Sequence, residues 1–193
     1  MRVLLYEQFH AGHYYHCLHH ILPRLIGLVD EVVVAVTPLG RASAEFKSLL
    51  EQFADSVRFY DSVPTVNPRT TMRDRFQMYG NLCATVDQVR PDYVLVPSAD
   101  GQTTAMGLSR LGGRGSLPHK AHGQAGVHFG LGPAKVTAKD HARDLFYETT
   151  WRLSTWEKIH VNNMSLYESI QSRGRSLARR SARRALPRCR PWR

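Results

Sequence analysis

Val32-Val33-Val34-Ala35-Val36 is a continuous apolar run in which four of five residues are β-branched and none is polar. A run without a solvent-facing side fits a strand buried on both faces, as in a parallel sheet covered by helices. Upstream, Tyr14, Cys17, Leu18, Ile21, Leu22, Leu25 and Ile26 recur at helical spacing between Tyr14 and Leu28, with Pro23 predicting a kink or an early stop. Before that helix lies a second short apolar run, Arg2-Val3-Leu4-Leu5-Tyr6. Strand, helix and strand within about thirty residues form a βαβ unit, whose crossover is nearly always right-handed.

Downstream the alternation continues. The pattern predicts a helix from Ala42 to Phe53, a strand at Val57–Tyr60 and a proline-containing loop from Asp61 to Arg69. A long helix from Thr71 to Val89 then closes at Arg90-Pro91-Asp92, and Tyr93–Val96 reads as a central strand. A helix from Gln102 to Leu111 precedes the flexible connection Gly112-Gly113-Arg114-Gly115. A strand is expected at Ala125–Phe129, a helix at Ala138–Leu153, a strand at Lys158–Val161 and a last helix at Ser165–Ser172. This order predicts an α/β fold of Rossmann-like, doubly wound type, a mainly parallel sheet with helices on both faces.

Charge divides the chain in two. The 193 residues carry 26 basic and 16 acidic side chains, net +10. Nine arginines and no acid fall between Gln171 and Arg193, which leaves 17 basic against 16 acidic residues in the rest. The body is therefore nearly neutral. Two units are expected: a domain over 1–172, and an Arg-rich tail over 173–193 whose composition and prolines predict disorder. No apolar run reaches the roughly 18–20 residues of a membrane helix, and the acid at Glu7 interrupts what would be a signal peptide. The three cysteines, Cys17, Cys83 and Cys189, form no Cys-x-x-Cys pair, which fits a cytoplasmic location. Cys17 and Cys83 are expected as small core side chains.

Ligands of open parallel sheets bind beyond the carboxyl ends of strands, so three loops matter. In Glu7-Gln8-Phe9-His10-Ala11-Gly12-His13, Gly12 permits close backbone approach at a strand-to-helix turn. His10 and His13 offer hydrogen bonding or acid–base chemistry near neutral pH; solvent-facing histidines beside a turn glycine are the plainer alternative. In the second loop Asp100 either caps the helix starting at Gln102 or meets sugar hydroxyls as contact or base, with Gly101 and Gln102 beside it. In the third, around Gly126-Val127-His128-Phe129-Gly130, His128 either contacts a ligand or is a satisfied buried histidine. His16 and His20 have the i, i+4 spacing of helical zinc ligands, but Cys17 stands where a zinc-protease Glu would follow, so no metal site is expected. Neither Gly-x-Gly-x-x-Gly nor a P-loop is present.

Val3-Leu4-Leu5-Tyr6, Gly12-His13, and Pro91-Asp92-Tyr93-Val94-Leu95-Val96-Pro97 with Asp100-Gly101 together resemble the N-terminal half of GT-B glycosyltransferases of the family-four type. The likeness extends over about positions 1–172, through Ala125–Gly130 and Lys158–Val161. It implies an acceptor-side domain of a nucleotide-sugar-dependent enzyme, with Asp100 and His13 as catalytic candidates. Gly12, His10, Gly101, Gln102 and His128 become substrate-binding candidates. It further implies no bound cofactor or metal beyond the nucleotide-sugar donor, and a sugar, lipid or polysaccharide acceptor, with peripheral membrane contact as an associated expectation. The family's second, donor-binding domain and its paired glutamates have no counterpart in this sequence, so the tail is expected to be a truncated or frame-shifted end and the chain weak or inactive alone. The other reading is a stand-alone binding module whose basic arm engages nucleic acid or an acidic partner; nucleic acid is disfavoured, because no nucleic-acid fold precedes the arm.

Overall fold

A computed structural model describes residues 1–9, 14–65, 71–127 and 138–161. Within them strands alternate with helical segments, two of them between β2 and β3: β1 (Arg2–Tyr6), α1 (Tyr14–Leu25), β2 (Glu31–Ala35), α2 (Pro38–Ala42), α3 (Ala44–Leu49), β3 (Arg58–Tyr60), α4 (Met72–Val89), β4 (Tyr93–Val96), α5 (Asp100–Leu111), β5 (His122–Val127), α6 (Ala138–Leu153) and β6 (Lys158–Val161). The six strands form one sheet in the order β3-β2-β1-β4-β5-β6, and every pairing is parallel. This is the strand order of the Rossmann class.

Strand alternation explains why the apolar runs are continuous. Leu5, Val32, Val34 and Val36 face one side, where they pack with Tyr15, Leu18 and Leu22 of α1 and with Phe46 of α3. Leu4, Tyr6, Val33, Ala35, Val94 and Val96 face the other, against Leu82 and Val86 of α4, Ala105 and Met106 of α5 and Trp151 of α6. Each fully buried side chain of this kind contributes roughly 1.5–3 kcal/mol. Cys83 packs at the margin of the second core and Cys17 is half-buried, so neither is the fully enclosed core residue expected.

Three departures from the sequence pattern have local causes. The single helix expected at Ala42–Phe53 is split, because Ser43 adopts an extended backbone and serves two helices at once. Its Oγ donates to the Gly40 carbonyl at 2.8 Å and accepts from the Phe46 N–H at 3.1 Å. Pro38 at the first helical position lets α2 begin ahead of it. Second, β5 starts at His122 rather than Ala125, although it contains Gly123 and Gly126. These glycines admit neighbours: a Cβ on Gly123 would lie 2.6 Å from the Trp156 ring, and one on Gly126 would lie 2.2 Å from the Pro97 carbonyl oxygen. Third, Ala99 occupies the N-cap of α5, so Asp100 is the first helical residue and not the cap.

The helix α4 is bounded by strong local signals. Thr71 Oγ1 accepts from the Asp74 N–H at 3.2 Å while Asp74 Oδ2 accepts from the Thr71 N–H at 2.7 Å, a reciprocal capping box. These bonds hold the Asp74 carboxyl below its ordinary range. At the other end Arg90 takes a left-handed backbone, φ 50°, and Pro91 follows. Replacing Thr71 with Ala is expected to destabilise the protein by about 1 kcal/mol, since the Asp74 half of the box survives. Urea unfolding of T71A checks this; an unchanged midpoint would show that the cap does not contribute to global stability.

The last expected helix, Ser165–Ser172, the tail over 173–193, and thus the boundary between them lie outside the described residues. Among the described residues no helix is long and apolar enough to cross a membrane.

Candidate functional site

The strand order reverses between β1 and β4: the chain proceeds from β1 outward through β2 and β3, then returns to β4 and proceeds the other way. At such a reversal the loops after the two strands run apart, and the crevice between them is where open α/β sheets bind ligands. Residues 7–9 leave β1 there, and residues 97–99 leave β4.

Glu7 continues β1, its N–H bonded to the Ala35 carbonyl at 2.9 Å. Its side chain is 1 % exposed. Oε1 accepts from the Phe9 N–H at 3.0 Å, whereas Oε2 is buried and has no hydrogen-bond partner. Burial pushes the Glu7 carboxyl up to about 8. The N–H groups of Phe9 and Gln8 and the Ser98 hydroxyl oppose that rise, and the nearby Asp100 carboxylate adds to it. Glu7 is therefore mainly protonated at neutral pH, a carboxylic acid able to donate a hydrogen bond. Tyr14, at the start of α1, faces the same two carboxyls; its hydroxyl is pushed up by burial, then by Glu7 and Asp100. Phe9 stacks on the Tyr14 ring with centroids 4.9 Å apart.

The opposite wall is fixed by main chain. The Ala99 N–H donates to the Gly126 carbonyl at 2.8 Å, tying the loop after β4 onto β5. Asp100 then opens α5. Gly101 is buried against α4, where a Cβ would come within 2.5 Å of Met78 Sδ. Gln102 is fully buried, and neither amide atom has a partner. The two threonines after it are committed to structure. Thr103 Oγ1 accepts from the Trp156 indole N–H at 3.0 Å. Thr104 Oγ1 accepts from Arg75 Nη1 at 3.2 Å, and Arg75 Nη2 donates to the Tyr147 hydroxyl at 2.8 Å.

The structure thus brings Asp100 to the switch point and Gln102 to the first turn beside it. His10, Gly12, His13 and His128 lie outside the described residues. Glu7, Gln8 and Ser98 are the residues that sequence reasoning passed over. The available signal was the abrupt step from a buried strand, Val3–Tyr6, to two adjacent polar residues where the strand is still enclosed. Among the described residues no three His, Cys, Asp or Glu side chains are grouped to hold a metal ion. His19 Nδ1 lies 2.9 Å from the Leu49 carbonyl, which gives that histidine a structural partner.

Sheet order and crevice define a Rossmann-like α/β domain. No protein-family model matches the chain, and no curated protein matches it. Among solved structures the chain is similar to MurG of Acinetobacter baumannii, at 13 % identity and a TM-score of 0.43, over 83 % of this chain and 41 % of that one. The chain thus spans less than half the length of that protein, and no functional conclusion rests on a likeness this distant.

Proposed function

We propose that the chain is the acceptor-side domain of a nucleotide-sugar-dependent glycosyltransferase of GT-B type, the donor-binding half being a further domain that this sequence does not carry. The observation that carries the reading is the pairing of Glu7 and Asp100 across the β1/β4 switch point. A protonated, shielded carboxyl beside a second carboxyl, with the Ser98 hydroxyl next to them, suits the orientation of sugar hydroxyls. Phosphate cradles need glycine-rich backbone, and the strand-to-helix turns here lack both phosphate fingerprints. The motifs from Val3 to Gly101 add the family-four resemblance. Asp100 is assigned to contact with the acceptor hydroxyl or to its deprotonation, His13 to the cleft, and the Gly12 backbone to close approach. The chain is expected to bind acceptor, in the cytoplasm and without a metal ion.

The experiment is saturation-transfer NMR on the intact chain with a panel of soluble acceptor glycans and, separately, uridine and guanosine diphosphate sugars. Acceptor glycans are expected to bind, with a loss of about tenfold for Asp100→Asn, and nucleotide-sugars are not. Tighter binding of nucleotide-sugar than of any glycan would overturn the assignment to the acceptor side.

A further inference from the structure

Ten buried side-chain atoms have no hydrogen-bond partner among the described residues, and five belong to Glu7, Gln8 and Gln102: Glu7 Oε2 and both amide atoms of each glutamine. Gln8 is 2 % exposed and Gln102 is fully buried. Gln8 lies two residues beyond β1, and Gln102 is the third residue of α5, which begins four residues beyond β4. Both residues therefore follow the two strands that flank the switch point. An unpartnered buried amide costs on the order of 1–3 kcal/mol per polar group, so such a cluster is expected only where something else completes it.

The donor and acceptor inventory restricts what that is. Each glutamine presents an N–H₂ donor and a carbonyl acceptor, and both are unmet, so exchanging O and N within either amide leaves the same need. A ligand must bring donors to the two carbonyls as well as acceptors to the two amines. A carboxylate or a phosphomonoester dianion has acceptors alone, and inorganic phosphate at neutral pH adds only one or two hydroxyl donors on a charged centre. A vicinal pair of hydroxyls has both, side by side, at the spacing of an amide. We infer that Gln8 and Gln102 form a diol-recognising pair that takes an uncharged polyol, such as two adjacent hydroxyls of a sugar ring, in the β1/β4 crevice. The inference rests on the acceptor-side reading for its location and adds the ligand's chemistry and the residues that read it.

The test combines stability with binding, using myo-inositol as the neutral polyol probe and inorganic phosphate as the anion. In the free protein, Gln8→Met and Gln102→Met each remove two unsatisfied polar atoms at nearly constant volume. Each is expected to raise the thermal midpoint by about 3 °C while abolishing the stabilisation that millimolar inositol gives the unaltered chain. A lower midpoint in both variants would mean that the amides are already satisfied, by ordered water, and would overturn the inference. So would inositol binding that survives both substitutions, or phosphate stabilising the unaltered protein more than inositol does. That last comparison needs no variant to fold. Acceptor glycans that bind through Asp100 while inositol leaves both amides unaffected would sink the diol pair and leave the glycosyltransferase reading standing. Inositol binding lost in the Met variants, with no glycan or nucleotide-sugar bound, would do the reverse.

Discussion

Gly107→Ala is expected to destabilise the protein by about 3 kcal/mol, although alanine is the better helix former by about 1 kcal/mol. A Cβ on Gly107 would lie 1.9 Å from the Thr150 carbonyl oxygen and 2.7 Å from its carbonyl carbon. Both atoms are backbone of α6, so no side chain can swing aside, and α5 and α6 must separate. Separation loosens the packing of Met106 and Trp151, two members of the core on that side of the sheet. Gly80→Ala is the internal control. Gly80 also lies within a helix, α4, but a Cβ there meets nothing within 4 Å, so the substitution is expected to stabilise by about 1 kcal/mol. Urea unfolding of the two variants should move in opposite directions. Parallel shifts would show that the α5–α6 approach is looser than described.

The second large effect is a dependence on pH carried by Glu7. Its carboxyl is raised from 4.5 to about 8 on folding, so the folded state holds its proton more tightly than the unfolded chain. The protonated group is neutral in both states below pH 4.5, and there its contribution is fully present. As pH rises the unfolded chain ionises first, and stability is lost until the folded carboxyl also ionises near pH 8. The loss across that window is about 5 kcal/mol, a large share of the 5–15 kcal/mol typical of a domain. Glu7→Gln keeps the shape and the neutrality at every pH. The variant is therefore expected to match the unaltered protein near pH 4.5 and to exceed it increasingly up to pH 8. Unfolding free energies at pH 5, 7 and 9 decide the matter, and two curves that run parallel would refute a buried neutral Glu7.

Much of the fold was legible because its signals are local and repeated. Val32–Val36 and Tyr93–Val96 announce enclosed strands through composition alone, and Thr71 with Asp74 and Arg90-Pro91 bracket α4 to within a residue. Where the reading failed, a single residue had two roles. Ser43 donates backward and accepts forward, which no helical periodicity reveals. Gly123 looks like a loop glycine, yet it is a strand position vacated for Trp156, as Gly126 within the expected strand is for Pro97. The site was legible in place but not in composition. Parallel topology directs attention to the loops after β1 and β4, and Asp100 stands there. Histidines draw the eye in the first loop because their titration range is known in advance. Glu7 acquires its chemistry mainly from burial, which is a tertiary property that its place in the sequence does not announce.

The anchoring of the loop after β4 has a consequence for how this domain can change. Asp100 is held in place by the bond from the Ala99 amide to the Gly126 carbonyl and by the fit of Gly126 under Pro97, all main-chain features. The path of the chain at position 100 is therefore set by backbone contacts, which a change of recognition at this wall has to preserve. On the facing wall Glu7 and Gln8 are enclosed in the interior, so a replacement there changes stability together with recognition.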